Sequence, residues 1–156
     1  FEISKYQLLP SDMVGKISFY SKATNSLTDD DVRISKRLYI PYKKLRGFQK
    51  GKVGPKDDSS FIGGNYVSAL NMSTTLPQIM PSMQNTDFSF FIDMANVWGI
   101  DYSDTLDDKS TLRSSAGLSI DLLTVIGPLS FSFSETISKA SSDETESFRF
   151  NIGTSF

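Results

Sequence analysis

The sequence predicts an all-β chain, an antiparallel up-and-down transmembrane β-barrel represented here by about seven C-terminal strands and one long loop. Three observations carry that prediction. Apolar and polar residues alternate with period two, as a strand between two different environments requires. The large apolar side chains collect on one face and Ser, Gly and other small residues on the opposite one. Connections alternate between short and long, the habit of an outer-membrane barrel. A soluble β-sandwich alternates too, but here the apolar faces carry almost no Lys, Glu or Asp.

The elements follow in order. Phe1 to Leu9 reads as a first, weakly patterned strand, and Met13 to Ala23 as a second with Ile17 and Phe19 on one face. Asn65 to Thr74 places Tyr66, Leu70 and Met72 together. In the fourth strand Phe88, Phe90, Ile92 and Met94 oppose Ser89, Phe91, Asp93 and Ala95. In the fifth, Leu112, Ala116, Leu118, Ile120 and Leu122 oppose Arg113, Ser115, Gly117, Ser119 and Asp121. Leu129, Phe131 and Phe133 then alternate with Ser130, Ser132 and Ser134. In the last strand Phe148, Phe150, Ile152 and Phe156 oppose Arg149, Asn151, Gly153 and Ser155. Such strands suit a tilted bilayer crossing of roughly 9–11 residues.

Pro10-Ser11-Asp12 and Ile126-Gly127-Pro128 read as tight turns and Leu76 to Asn85 as a medium connection. Residues 25–62, Gly99 to Ser110 and Ser138 to Ser147 read as long loops. Single-chain bacterial barrels have an even number of strands from about 8 upward, so seven do not close one. The remaining strands are expected before Phe1, with residues 1–156 forming the C-terminal part of one barrel domain.

Composition narrows the function classes. The 156 residues carry a net charge of −2 with acidic and basic residues interspersed, which lacks the footprint of a nucleic-acid binder. No segment approaches the roughly 20 apolar residues of a membrane helix. Histidine and cysteine are absent, which removes His-based triads, thiol nucleophiles, Cys/His metal sites and disulfides. No catalytic residue, cofactor or metal is assigned. Asp101, Asp104, Asp107 and Asp108 invite a calcium reading, but their spacing is not that of an EF-hand and a charged surface loop explains them. Asp29-Asp30-Asp31 carries still less. Lys50, Lys52 and Lys56 are placed to meet lipid phosphates, and a solvated loop accounts for them equally.

The long loop is punctuated by Arg46-Gly47-Phe48, Gly54-Pro55 and Gly63-Gly64-Asn65, residues that define a backbone path. With these motifs the chain resembles the C-terminal half of the BamA family of outer-membrane barrel assembly factors. The loop motifs resemble that family's sixth extracellular loop, and Phe91-Ile92-Asp93-Met94-Ala95-Asn96-Val97-Trp98 its Phe-x-Asp-x-Gly-x-x-Trp strand. Arg113-x-Ser115-x-Gly117 leading to Gly127-Pro128-Leu129 resembles the next hairpin, and Phe148 to Phe156 the terminal strand. Departures are Ile40-Pro41-Tyr42-Lys43-Lys44 where paired glycines are frequent, Asn71 where an acid is common, Ala95 for Gly, and Val125 for Pro.

The resemblance implies a barrel of about sixteen strands behind periplasmic domains, in the outer membrane of a Gram-negative bacterium. It implies assembly of other barrels without enzymatic chemistry. The implied partners are unfolded outer-membrane proteins, accessory lipoproteins and outer-membrane lipid. The loop is expected to fold into the lumen, with Arg46, Gly47 and Phe48 at its tip and Arg46 latched to Asp93 on the inner wall. Gly54, Pro55, Gly63 and Gly64 are expected to set its path. Phe148, Phe150, Ile152, Gly153 and Phe156 are expected to form a seam with the first barrel strand that opens to receive a client strand. A related secretion or translocation pore and a passive porin are the alternatives.

Overall fold

The computed structural model describes every residue except 28–30, 78, 80–84, 102, 104, 107–110, 126 and 154–156. Seven strands form one antiparallel sheet in the order of the chain, and a small separate hairpin lies inside the long loop. In chain order the strands are β1 (Glu2–Leu8), β2 (Val14–Ala23), β3 (Lys56–Asp57), β4 (Ser60–Phe61), β5 (Tyr66–Thr75), β6 (Thr86–Trp98), β7 (Arg113–Thr124), β8 (Gly127–Ser138) and β9 (Phe148–Ile152). The main sheet runs β1-β2-β5-β6-β7-β8-β9, a meander in which each strand pairs with its predecessor, and it is not closed within this chain.

Burial follows the alternation and inverts the arrangement of a water-soluble protein. Ile17, Phe19, Phe90, Leu118, Phe133, Phe148, Phe150 and Ile152 point outward and are exposed. Ser18, Asp93, Arg113, Ser115, Ser119 and Ser132 point inward and are buried. Water would penalise so large an apolar surface, whereas hydrocarbon accepts it. Phe131 and Phe133 pack at a tilt against Phe150 and Phe148, with ring centroids 4.9 and 5.0 Å apart on that outer face, so apolar cross-strand pairs reinforce the β8–β9 ladder.

The long loop lies against the inner face. Thr24 N donates to Asn65 O at 2.8 Å and closes its ends, and Leu38 and Gly64 exchange backbone hydrogen bonds deeper in. Ile40, Leu45, Phe48 and Val53 from the loop pack with Val67, Ala69, Ala95 and Val97 from β5 and β6. This cluster is the apolar core of the chain. It sits between loop and wall, where a soluble sandwich would have a second sheet.

Several boundaries differ from the sequence reading. Gly127 and Pro128 begin β8 instead of forming the turn, whereas β6 ends at Trp98, directly before the loop expected from Gly99. The β3–β4 hairpin leaves no periodic signal because each strand has two residues. The register shifts between Ser114 and Ser115, where β8 advances from Thr136 to Ser138 opposite one step of β7. Phe156 lies outside the described residues, as do Asp29, Asp30, Asp104, Asp107 and Asp108.

Candidate functional site: the docked loop and the terminal strand

One register line across the sheet creates the docking surface. Ser18 pairs with Asn71, Asn71 with Asp93, Asp93 with Ser115, and Ser115 with Thr136, so five inward polar residues stand side by side on five adjacent strands. The loop tip crosses four of these strands and gives each a partner. Asn71 Nδ2 donates to Lys44 O at 2.8 Å, and Arg46 engages Asp93. Ser115 Oγ donates to Arg46 O at 2.5 Å and Thr136 Oγ1 to Gly47 O at 3.3 Å. A loop backbone buried against a wall needs such partners, because its carbonyls have lost water.

Arg46 grips Asp93 as a fork. Its Nε donates to Oδ2 at 2.7 Å and its Nη2 to Oδ1 at 2.8 Å, while the backbone N of Arg46 reaches Oδ2 at 3.1 Å. The guanidinium carbon lies 3.5 Å from the centroid of Phe91, which adds a cation–π contact on the same strand. Asp93 is fully buried and the Arg46 side chain is 21% exposed. A bidentate pair fixes orientation as well as charge. Asn71, where the sequence shows no second acid, holds the site by its amide: Nδ2 also donates to Asp93 Oδ1 at 2.8 Å. The amide orientation is determined, since turning it over would aim Oδ1 at two acceptors.

Phe48 is buried in the apolar cluster, and Gly47 brings the backbone close enough for this to happen. Gly47 has φ +88, and a Cβ there would lie 3.1 Å from Ser115 Cβ. Gly54 is tighter, with φ +113 and a would-be Cβ 2.5 Å from Val97 Cγ1. Pro55 is buried beside it and accepts from Ile62 N at 3.0 Å, while Gly63 precedes the Leu38–Gly64 bridge. Gly54→Ala therefore combines overpacking with a left-handed backbone. We expect it to loosen the loop by roughly 1–3 kcal/mol, read as faster tryptic cleavage at Lys50 and Lys52. Adding Val97→Ala should recover only the steric part, and full recovery would show that backbone conformation contributes nothing.

A second ionic centre, with no role assigned from the sequence, lies beyond Gly54. Arg113 Nε donates to Asp143 Oδ2 at 2.8 Å and Arg113 Nη1 to Asn96 Oδ1 at 2.8 Å; both charged side chains are fully buried. Asp143 Oδ1 accepts from Gly54 N at 3.0 Å, and Oδ2 also accepts from Ala140 N at 2.7 Å. One carboxylate thus joins the long loop, the β8–β9 loop and the inner wall. The sequence signal available was an arginine on an inner strand face, which demands an acid. Its partner sits in a loop without period, so position gave no clue.

The terminal strand presents Phe148, Phe150 and Ile152 outward and Arg149 and Asn151 inward, with Gly153 following at φ +95. β9 pairs with β8 on one edge and has no partner strand on the other among the described residues. Asp101 is occupied within the fold, its Oδ2 accepting from Val32 N at 2.8 Å and its Oδ1 from Asn65 Nδ2. Among the described residues no three potential metal ligands converge. Lys52 approaches Glu144 at 3.5 Å, and Lys50 and Lys56 lie over the rings of Tyr42 and Phe61.

Comparison with known proteins gives three results. The Omp85 superfamily domain matches residues 2–156. The outer membrane protein assembly factor BamA of Neisseria meningitidis serogroup B is 30% identical over 141 residues, covering 72% of this chain and 17% of that protein. The crystal structure of BamA from Haemophilus ducreyi lacking POTRA domains 1–3 superimposes with a TM-score of 0.84 at 28% identity, covering 96% of this chain and 33% of that one. The chain thus spans a minor part of each relative's own length.

Proposed function

The chain belongs to the Omp85 superfamily, and from that premise we propose that it is the C-terminal part of the barrel of an outer-membrane protein assembly factor. It resides in the outer membrane of a Gram-negative bacterium, as its BamA relatives do. Its work is the folding and insertion of other barrels, without covalent chemistry. Its clients are unfolded outer-membrane proteins, and accessory lipoproteins and the surrounding lipid are its other partners.

The observation that carries this reading is the Arg46 fork on Asp93, with the loop seated along a row of inward polar residues. In a passive porin the loop would serve only to narrow the channel; the bidentate fork and the partners on four adjacent strands favour a loop that holds the wall. Here the loop acts as a latch that holds the inner wall of β5 to β8 in register. β9 has an open edge among the described residues, and that edge offers backbone donors and acceptors to an incoming strand once the latch is released.

Locking that edge tests the proposal. Cysteines placed in β9 and in the first barrel strand of the full-length protein, which has none in this part, allow the seam to be closed by oxidation and reopened by reduction. In proteoliposomes supplied with a urea-unfolded client barrel, assembly should stop on oxidation and return on reduction. Undiminished assembly through a fully oxidised seam would remove β9 gating from the mechanism.

A further inference from the structure

The loop tip and the terminal strand are joined by more contacts than neighbouring position explains. The tip pairs through its backbone with the segment leading into β9: Phe48 bridges Thr145, Gln49 N donates to Glu144 O at 2.9 Å, Glu146 N to Gly47 O at 3.0 Å, and Glu144 N to Lys52 O at 3.0 Å. These bonds stop at residue 146. From there the connection is made by one side chain, Arg149, which points inward from the second position of β9. Its Nη1 donates to Tyr42 O and its Nη2 to Phe48 O at 2.5 Å, so the fork reaches the two ends of the tip segment that carries Arg46. Its Nε donates to Glu146 Oε1 at 2.5 Å, tying the strand back to the segment before it. The guanidinium is nearly buried, with the Arg149 side chain 10% exposed.

We propose that Arg149 is a positioning residue that couples the docked loop to the terminal strand, so that release of the latch is transmitted into β9. Backbone pairing alone carries loop motion only as far as residue 146, and Ser147 separates that segment from the strand. Arg149 closes this gap, because β9 cannot shift relative to the tip without breaking charge-assisted bonds to both carbonyls. The inference rests on reading the loop as a latch and β9 as the moving edge, and it adds the link between them.

Hydrogen exchange in the full-length protein in phospholipid nanodiscs tests the link. Asp93→Asn weakens the latch and should speed exchange about tenfold or more in peptides covering 42–48, 142–147 and 148–152. In an Arg149→Gln background, Asp93→Asn should still speed exchange at 42–48 and 142–147 and add nothing at 148–152. Arg149→Lys, which retains the charge without the fork, should behave like Arg149→Gln and provides a milder variant if glutamine impairs folding. Heat-modifiable migration on electrophoresis identifies folded protein in each case. An Asp93→Asn response at 148–152 that is equal with and without Arg149, or absent in the parent, overturns the coupling. The locked-seam assay reads client assembly and not exchange, so failure of gating and failure of this link appear separately.

Discussion

Replacing Arg46 with alanine is expected to release the loop tip and to cost roughly 3–5 kcal/mol of docking, because it strands a fully buried carboxylate. After Arg46→Ala, Asp93 retains only the backbone N of residue 46 and the Asn71 amide. Asp93→Ala should cost less. Arg46 is partly exposed and turns toward water once its acid is gone, whereas Asp93 has no such escape. A protease that cleaves after lysine alone reads the difference directly, since Lys43 and Lys44 flank the site and the Arg46 bond is not a cleavage site in any variant. The rate of loop cleavage should rise most in Arg46→Ala, less in Asp93→Ala, and stay low in the parent. Equal rates in all three would show that the fork does not hold the loop.

Removing Asp143 is expected to be at least as damaging and to act on the whole fold. Asp143→Ala leaves Arg113 buried without its carboxylate and leaves Gly54 N and Ala140 N without acceptors. Breaking a fully desolvated pair from one side costs roughly 3–5 kcal/mol, and each orphaned backbone donor adds about 1–3 kcal/mol. The temperature at which the heat-modifiable folded form disappears should fall sharply. Replacing both charges with apolar residues, Arg113→Met with Asp143→Leu, should recover part of the loss, since no buried charge then remains. A single variant as thermostable as the parent would mean that the pair is not desolvated in the membrane-embedded protein.

These two centres also show what the sequence makes legible. Strands with a lipid face and a polar face write period two into the chain, so the seven-strand meander and the inner position of Asp93 could be read directly. Arg46 and Asp93 were linked through family resemblance, because a loop arginine does not name its partner. Asn71 appeared only as a missing acid. Its bridging amide depends on standing opposite Asp93, a register that alternation along a single strand does not specify. Asp143 was opaque for a related reason: it lies in an aperiodic loop, and only the folded path of residues 47–54 brings Gly54 to it. In the sequence Arg149 is one polar residue of a terminal strand, and its role depends on the loop carbonyls of Tyr42 and Phe48 that the fold brings to it. What escaped the sequence is therefore the set of contacts between aperiodic segments.

If Arg46 and Asp93 hold the loop as a pair, the effects of replacing them are coupled. A double-mutant cycle in the full-length protein, with loop release measured by lysine-specific cleavage at Lys43 and Lys44 for the parent, Arg46→Ala, Asp93→Ala and the double variant, measures that coupling. Strong non-additivity is expected, with the double variant no more labile than Arg46→Ala alone and a coupling of about 1–3 kcal/mol. Additive effects, each mutation contributing independently of the other, would contradict it.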